Sequence, residues 1–291
     1  MRILDVLNAP WAIEPRMLRE ITSIYDTHLR GEKIDLAAVE ARIGQPLQND
    51  HQEYAIVDGV AILDLQGVIS KRMNLLSRIS GGVSTELVGR DLRAALADPR
   101  VHAIILSVDS PGGTVDGTQA LADQVYAARG VKPIVTLADG VMASGAYWIG
   151  AAADEVYISG DTVITGSIGV VSQHVDVSRA EEKAGIKTTE IYAGRYKRIA
   201  SEYAPLSEEG RDYLQDIVDQ LYAVFVDNVS RNRGVDAQTV LQDMADGRLF
   251  VGQKALAAGL VDGVSTLDTL IADLVAGRKP AGRAGARAGV P

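Results

Sequence analysis

The chain is predicted to adopt an α/β fold, a mostly parallel sheet flanked by helices, with an N-terminal helical extension. Three observations carry that prediction. From Leu87 onward, short β-branched apolar runs alternate with stretches of helical periodicity, the pattern of strands joined by crossover helices. Hydrophobic residues make up 47% of 291 positions, enough to bury a large core. The first fifty residues instead carry apolar positions at helical spacing.

The elements follow in order. Pro15 to Leu29 and Leu36 to Ile43 read as two helices around Arg30-Gly31-Glu32-Lys33, with Met17, Ile21, Ile24, Leu36, Val39 and Ile43 at helical spacing. Such a stripe packs within its own chain or docks a neighbouring subunit. Strands are expected at Tyr54–Val57 and Val60–Leu65. Gln66 to Gly82 then forms a polar, glycine-containing connection, a flap with exposed Met73, Leu75 and Leu76 beside a groove. Next come a helix Leu87–Leu96, a strand His102–Val108, a helix Thr114–Arg129, a strand Pro133–Ala138, a helix Ala143–Ala152 and strands Glu155–Ile158 and Thr188–Tyr192. Ser207-Glu208-Glu209 caps a long helix reaching about Asn232, with Leu214, Ile217, Leu221, Val224 and Phe225 on one face. Shorter elements finish near Ala276. The chain thus divides into a helical extension (1–50), a main α/β domain (51–276) and a disordered basic tail (277–291) bearing Arg278, Lys279, Arg283 and Arg287 among Gly, Ala and Pro.

Composition excludes several function classes. The formal charge of −9 disfavours nucleic acid as a partner. There is no cysteine, hence no disulfide, which is compatible with a reducing cytoplasm. The start of the chain, with a short apolar run and an early Asp5, does not read as a secretory signal. No membrane span is expected either, because the longest uncharged stretch, Gly140 to Ala153, falls short of the roughly 20 residues a spanning helix needs. No His-Glu-x-x-His or other ligand spacing calls for a metal, and no Gly-x-x-x-x-Gly-Lys-Ser/Thr loop calls for a nucleotide, so no cofactor is expected.

The chemistry gathers around Asp139-Gly140-Val141-Met142-Ala143-Ser144-Gly145-Ala146-Tyr147-Trp148, where a serine among small residues sits at a strand-to-helix turn. Such a turn lifts the hydroxyl clear of its backbone, making Ser144 a candidate nucleophile. Gly145 lets a carbonyl approach the first amides of the helix. Upstream, Asp109-Ser110-Pro111-Gly112-Gly113 follows a buried strand, and its double glycine reads as a turn exposing backbone amides. Gly113 and Gly145 are the candidate oxyanion donors, and losing one such donor typically costs about 3–4 kcal/mol.

Two groups compete as the base. Of the four histidines, His28, His51 and His102 read as structural, whereas His174, near Asp176, suits a Ser-His-Asp arrangement. Lys197, in Tyr192-Ala193-Gly194-Arg195-Tyr196-Lys197, is the rival. An unperturbed lysine is neutral at pH 7 only about one part in 2500, a penalty of about 4.6 kcal/mol unless burial lowers its pKa. Chemistry alone leaves both open.

Four motifs in register decide between them: Asp109-Ser110-Pro111-Gly112-Gly113, Met142 to Trp148, Thr165-Gly166-Ser167-Ile168-Gly169-Val170 and Gly194-Arg195-Tyr196-Lys197. Their order and spacing resemble the signal peptide peptidase A family of serine proteases across roughly Val57 to Ile271, most closely its phage branch that processes capsid and scaffold proteins. The resemblance implies the fold shared by Clp protease subunits and crotonases. It implies a Ser-Lys dyad, with Ser144 as nucleophile, Lys197 as general base, Ser167 orienting the lysine amine and Gly113 at the oxyanion position. It further implies a homo-oligomeric ring in which Lys197 of one subunit reaches Ser144 of the next, and capsid, portal or scaffold proteins as substrates, cut in the host cytoplasm or the prohead interior. The basic tail stands where longer phage relatives continue into a scaffold segment. Small residues around Ser144 predict a pocket for Ala, Ser or a short aliphatic side chain and a peptide bound as an added strand. A cytoplasmic bacterial protease of the same family, a crotonase-like acyl-CoA enzyme and a catalytically silent scaffold protein are the alternatives.

Overall fold

The computed structural model describes residues 10–19, 21–22, 54–72 and 82–278. Two sheets organise them. The larger has eight strands: β2 (Ala55–Val57), β3 (Val60–Gln66), β6 (Ala103–Ser110), β8 (Ile134–Ala143), β9 (Glu155–Ile158), β10 (Ile164–Gly166), β11 (Leu249–Val251) and β12 (Gly263–Val264). Its main path runs β11-β10-β8-β6-β3-β2, and β9 pairs with the first half of β8 and with β12. Every pairing is parallel except β2 with β3 and β10 with β11. The smaller sheet runs β1 (Trp11–Ile13), β7 (Gly112–Thr114), β4 (Ile69–Ser70), β5 (Val83–Ser84).

Period-two alternation puts apolar residues on both faces of the central strands, as a sheet covered twice requires. From β6, Ile104, Leu106 and Val108 pack on one side against α1 (Thr85–Ala97), α2 (Thr118–Ala128), α3 (Gly145–Gly150) and the second half of α5 (Glu208–Arg233). Ala103 and Ile105 face the other side with Val135, Leu137, Tyr157 and, from α7 (Leu267–Val275), Leu270 and Ile271. Shorter helices are α4 (Ser178–Lys183) and α6 (Gln253–Ala257), and a helical turn Ala237–Thr239 runs into a π-helical stretch Val240–Met244.

Helix ends follow local chemistry. Ser207 Oγ accepts the Gly210 N–H at the start of α5, and Gly234 in the left-handed region closes its end. The predicted stripe on α5 is only partly covered: Leu214, Ile217, Leu221 and Val224 are half-buried, and full burial begins at Phe225, whose ring stacks on Trp148 at 4.2 Å and 9°. Beside it lies a buried ion pair, with Arg233 donating to both Asp262 oxygens at 2.8 Å while Asp262 Oδ2 also accepts the Val156 N–H.

Several boundaries differ from the sequence expectation for nonlocal reasons. The double glycine is not a turn. Gly112 and Gly113 are buried in β7, which lies between β1 and β4 so tightly that a Cβ on Gly113 would overlap the Ile69 carbonyl. The expected flap from Gln66 contains β4, with Val68 and Ile69 buried, while residues 73–81, including Met73, Leu75 and Leu76, lie outside the described residues. β8 does not stop at Ala138 but continues to Ala143. Between Val108↔Ala138 and Ser110↔Met142 it carries two more residues than β6, and Asp109 Oδ1 holds this bulge by accepting the Val141 N–H at 2.9 Å. The α3 helix correspondingly begins at Gly145, and α2 at Thr118. Thr188–Tyr192 forms no strand.

The expected helical extension also supplies a strand, β1, ahead of helical residues 15–19 and 21–22, which fall within the expected helix Pro15–Leu29. Leu18 and Ile21 pack there with Trp11, Ile13 and Val68, within the same chain. The second expected helix, Leu36–Ile43, lies outside the described residues, as do His28, His51 and the tail beyond Arg278.

Candidate active site

Ser144 stands between the last residue of β8 and the first of α3, with φ 54° and ψ −119°. Among the described residues only Asp58, Ser144 and Ser167 combine a side chain with positive φ, and two of those three are neighbours. Gly166 of β10 pairs with Ala143 of β8, so Ser144 and Ser167 are the next residues off the ends of two paired parallel strands. Ser144 donates its N–H to the Gly166 carbonyl at 2.7 Å, and Ser167 donates its own to Arg248 at 2.7 Å. Those bonds hold two conformations that each cost of order 1–3 kcal/mol, a cost typically found at functional positions. Ser144 has 0% exposure, and its Oγ lies 3.5 Å from the Gly169 carbonyl oxygen.

The segment before α3 owes its position to the Asp109–Gly113 motif. Ser110 Oγ donates to Gly67 at 2.6 Å and accepts the Gly112 N–H at 3.1 Å, tying β6 to β7. The far end of α3 is held by Arg129, which donates to the carbonyls of Ala151, Ala152 and Ala153 and to Asn232. A cation there also complements the negative end of the helix. Tyr147 Oη donates to Leu260 at 2.9 Å.

Gly113 and Gly145 are brought together. A Cβ built on Gly145 would lie 3.4 Å from the Gly113 nitrogen, and one on Gly112 would lie 2.9 Å from the Gly145 nitrogen. Side chains are thus absent where three backbone segments converge beside Ser144. Sequence reasoning missed the third segment. It is β1, whose Ala12 carbonyl oxygen would lie 3.0 Å from a Cβ on Gly145. No local signal marks it, since Trp11-Ala12-Ile13 is three residues long and its partners are a hundred positions away.

The two candidate bases are both elsewhere in the chain. Lys197 is exposed in the turns that follow Gly194, and its side chain makes no hydrogen bond or ion pair among the described residues. His174 Nε2 lies 2.9 Å from the Ser201 carbonyl, and His174 lines a cavity of about 360 Å³ with Ser172, Leu206 and Arg211. Its neighbour Asp176 bonds to Ser178, and that hydrogen bond lowers its carboxyl below the ordinary value. Among the described residues, no group of three or more His, Cys, Asp or Glu side chains is placed to hold a metal ion. No helix among them is long and apolar enough to cross a membrane.

Known proteins share this arrangement of sequence. The chain is 33% identical over 211 residues to capsid assembly protease C of Escherichia phage lambda, covering 72% of this chain and 47% of that protein. It is 30% identical to head-tail preconnector protein GP5 of Enterobacteria phage P21, covering 72% and 41%. A putative protease of Methanocaldococcus jannaschii is 37% identical over 58% of this chain and 54% of its own length. The chain therefore spans about half the length of these relatives. Residues 127–279, more than half of the chain and including Ser144, Ser167 and Lys197, match the model of Peptidase family S49. With a mostly parallel sheet carrying Ser144 at its strand-to-helix junction and this match across it, the chain belongs to Peptidase family S49, the signal peptide peptidase A family, and has its Clp-protease-like α/β fold.

Proposed function

We propose that the protein is a serine endopeptidase working through a Ser144–Lys197 dyad whose lysine comes from a neighbouring copy. The observation that carries this is the strained Ser144 beside the converging Gly113 and Gly145 backbone. Neutral Lys197 takes the Ser144 proton as Oγ bonds to the peptide carbonyl carbon, and the two glycine amides hold the resulting oxyanion. The C–N bond then breaks as Lys197 returns the proton to the leaving amine. Water, deprotonated by the same lysine, releases the acyl group from Ser144. Ser167, one residue past the strand paired with β8, orients the lysine amine.

Sharing between copies is supported by surface chemistry. Ser144 is fully buried while Lys197 is exposed, and the segment carrying Lys197 presents Ile186, Ile191 (98% exposed), Tyr192 and Tyr196 to solvent. Large apolar side chains grouped around a catalytic lysine suit an interface between copies. The half-buried stripe of α5 offers a second such surface.

The substrate class follows from the relatives. Two phage proteins, one named a capsid assembly protease, each match over 72% of the chain. This favours capsid, portal or scaffold proteins as substrates and the prohead interior as the place of cleavage. Matches to a cellular putative protease and to a putative signal peptide peptidase of Enterococcus faecium favour a signal-peptide-peptidase-like cellular enzyme as the second reading. Labelling by a fluorophosphonate probe, followed by intact mass, tests the chemistry. Labelling of the assembled protein that disappears in both Ser144→Ala and Lys197→Ala is expected. Labelling that persists in Lys197→Ala refutes the dyad. Cleavage of co-expressed capsid and scaffold proteins, absent with Ser144→Ala, tests the substrate assignment.

A further inference from the structure

We propose that the segment Pro10–Glu14 is a substrate of the protein's own site, seated for cleavage of the Ala12–Ile13 bond. The inference rests on the serine-peptidase reading above and adds to it a defined substrate: an extended strand with a small residue before the scissile bond.

Backbone pairing on both edges of β1 carries the proposal. On one edge Trp11 and Val171 exchange hydrogen bonds at 2.8 and 2.9 Å. On the other, β1 runs antiparallel to β7 with Ala12 opposite Gly113. Glu14 donates to Pro111 at 2.7 Å and Val115 to Pro10 at 3.4 Å, which marks 14/111 and 10/115 as hydrogen-bonded pairs. Antiparallel ladders alternate, so 12/113 falls in the same class and the Gly113 N–H points at the Ala12 carbonyl. This carbonyl oxygen is also the nearest atom that a Cβ on Gly145 would meet, at 3.0 Å, and one on Gly112 would overlap it. It therefore occupies the place between Gly113 and Gly145 assigned to the carbonyl under attack.

Side chains agree with the backbone. Ala12 has 0% exposure, so its methyl group is fully enclosed, with no room for a larger side chain. Trp11 and Ile13 point to the other face, into a cluster with Leu18, Ile21 and Val68 that holds the strand in register. Peptides bound by proteases as added strands are gripped in this manner, by main-chain bonds with alternate side chains in pockets. β1 also lies outside the residues that match the family.

The reaction needs nothing further. Ser144 Oγ bonds to the Ala12 carbonyl carbon, the bond to the Ile13 nitrogen breaks with the proton passing to that nitrogen, and water frees the Ala12 carboxylate. Since Lys197 arrives from a neighbour, the cut awaits assembly and then clears the groove for other substrates.

The test uses the full chain, concentrated to assemble, with intact mass and amino-terminal sequencing, alongside Ser144→Ala and Ala12→Arg. The expected result is a new amino terminus at Ile13 in the wild type, none in Ser144→Ala, and a cut at that bond slowed about 100-fold or more in Ala12→Arg, a steric discrimination within reach of a tight pocket. Fluorophosphonate labelling of Ala12→Arg, whose groove the strand cannot close, separates the two claims. If Ala12→Arg labels at Ser144 but the wild type stays uncut or is cut elsewhere, self-cleavage is refuted and the peptidase stands. If Ala12→Arg is cut at the same bond, the seating of Ala12 is refuted. If neither labelling nor cutting occurs, the peptidase reading falls and this inference with it.

Discussion

Gly145→Ala separates oxyanion binding from folding. A Cβ at Gly145 meets nothing in the catalytic fold itself closer than the Gly113 nitrogen at 3.4 Å and the Thr118 methyl at 3.5 Å, both ordinary contacts. Only the Ala12 carbonyl oxygen, at 3.0 Å, is too close, and it must move by a few tenths of an ångström. If that oxygen marks where a substrate carbonyl sits, as proposed above, the substitution pushes the reacting carbonyl off its two donors while the surrounding core stays packed. Losing one oxyanion donor outright costs about 2.7–4 kcal/mol, or about 10²–10³ in kcat, and partial displacement falls between about tenfold and that limit. The assay is steady-state cleavage of a quenched peptide containing Ala before the scissile bond, beside thermal unfolding. A tenfold or greater loss in kcat with Tm within a few degrees of wild type is expected. Wild-type turnover in Gly145→Ala would refute the placement of the oxyanion. Gly113→Ala is the contrasting case, since its Cβ would overlap the Ile69 backbone and the variant should lose stability as well as activity.

Three further predictions concern the scaffold and the identity of the base. Asp262→Ala leaves the buried Arg233 guanidinium without its carboxylate counter-charge, with the neutral Gly259 carbonyl still accepting from it, so urea unfolding should show a loss of about 3–5 kcal/mol. Phe225→Ala removes the ring stacked on Trp148 and should destabilise by about 3–5 kcal/mol in the same assay; because Trp148 is in the helix that starts at Gly145, turnover should also fall. His174→Ala should retain turnover within about twofold of wild type, because the imidazole bonds to the Ser201 carbonyl and not to Ser144; a 100-fold loss would restore His174 as the base.

The central sheet was legible in the sequence because β3, β6, β8 and β9 are dense in Val, Ile and Leu and alternate with helices that show their own periodicity. The strand-to-helix junction that carries Ser144 was legible from its run of small residues. What stayed hidden depends on distant partners. Asp139-Gly140 read as the end of a strand, yet the Asp109 carboxylate carries β8 through that bulge to Ala143. Gly112-Gly113 read as a turn because glycine most often marks one, whereas here glycine is required by two strands flanking β7. Thr188–Tyr192 has a strand's composition but no partner strand among the described residues, and Ile191 is left almost wholly exposed. β1 was invisible for the same reason in reverse, its three residues being ordered by Gly113 and Val171.

The shared dyad is tested most directly by mixing two inactive proteins. Ser144→Ala keeps Lys197 and Lys197→Ala keeps Ser144, so in a ring whose sites lie between head-to-tail neighbours about a quarter of the sites in an equal mixture carry both intact groups. Unfolding and reassembling the mixture should recover about that fraction of wild-type peptidase activity. No recovery, in a mixture shown to co-assemble, would contradict a site built from two copies.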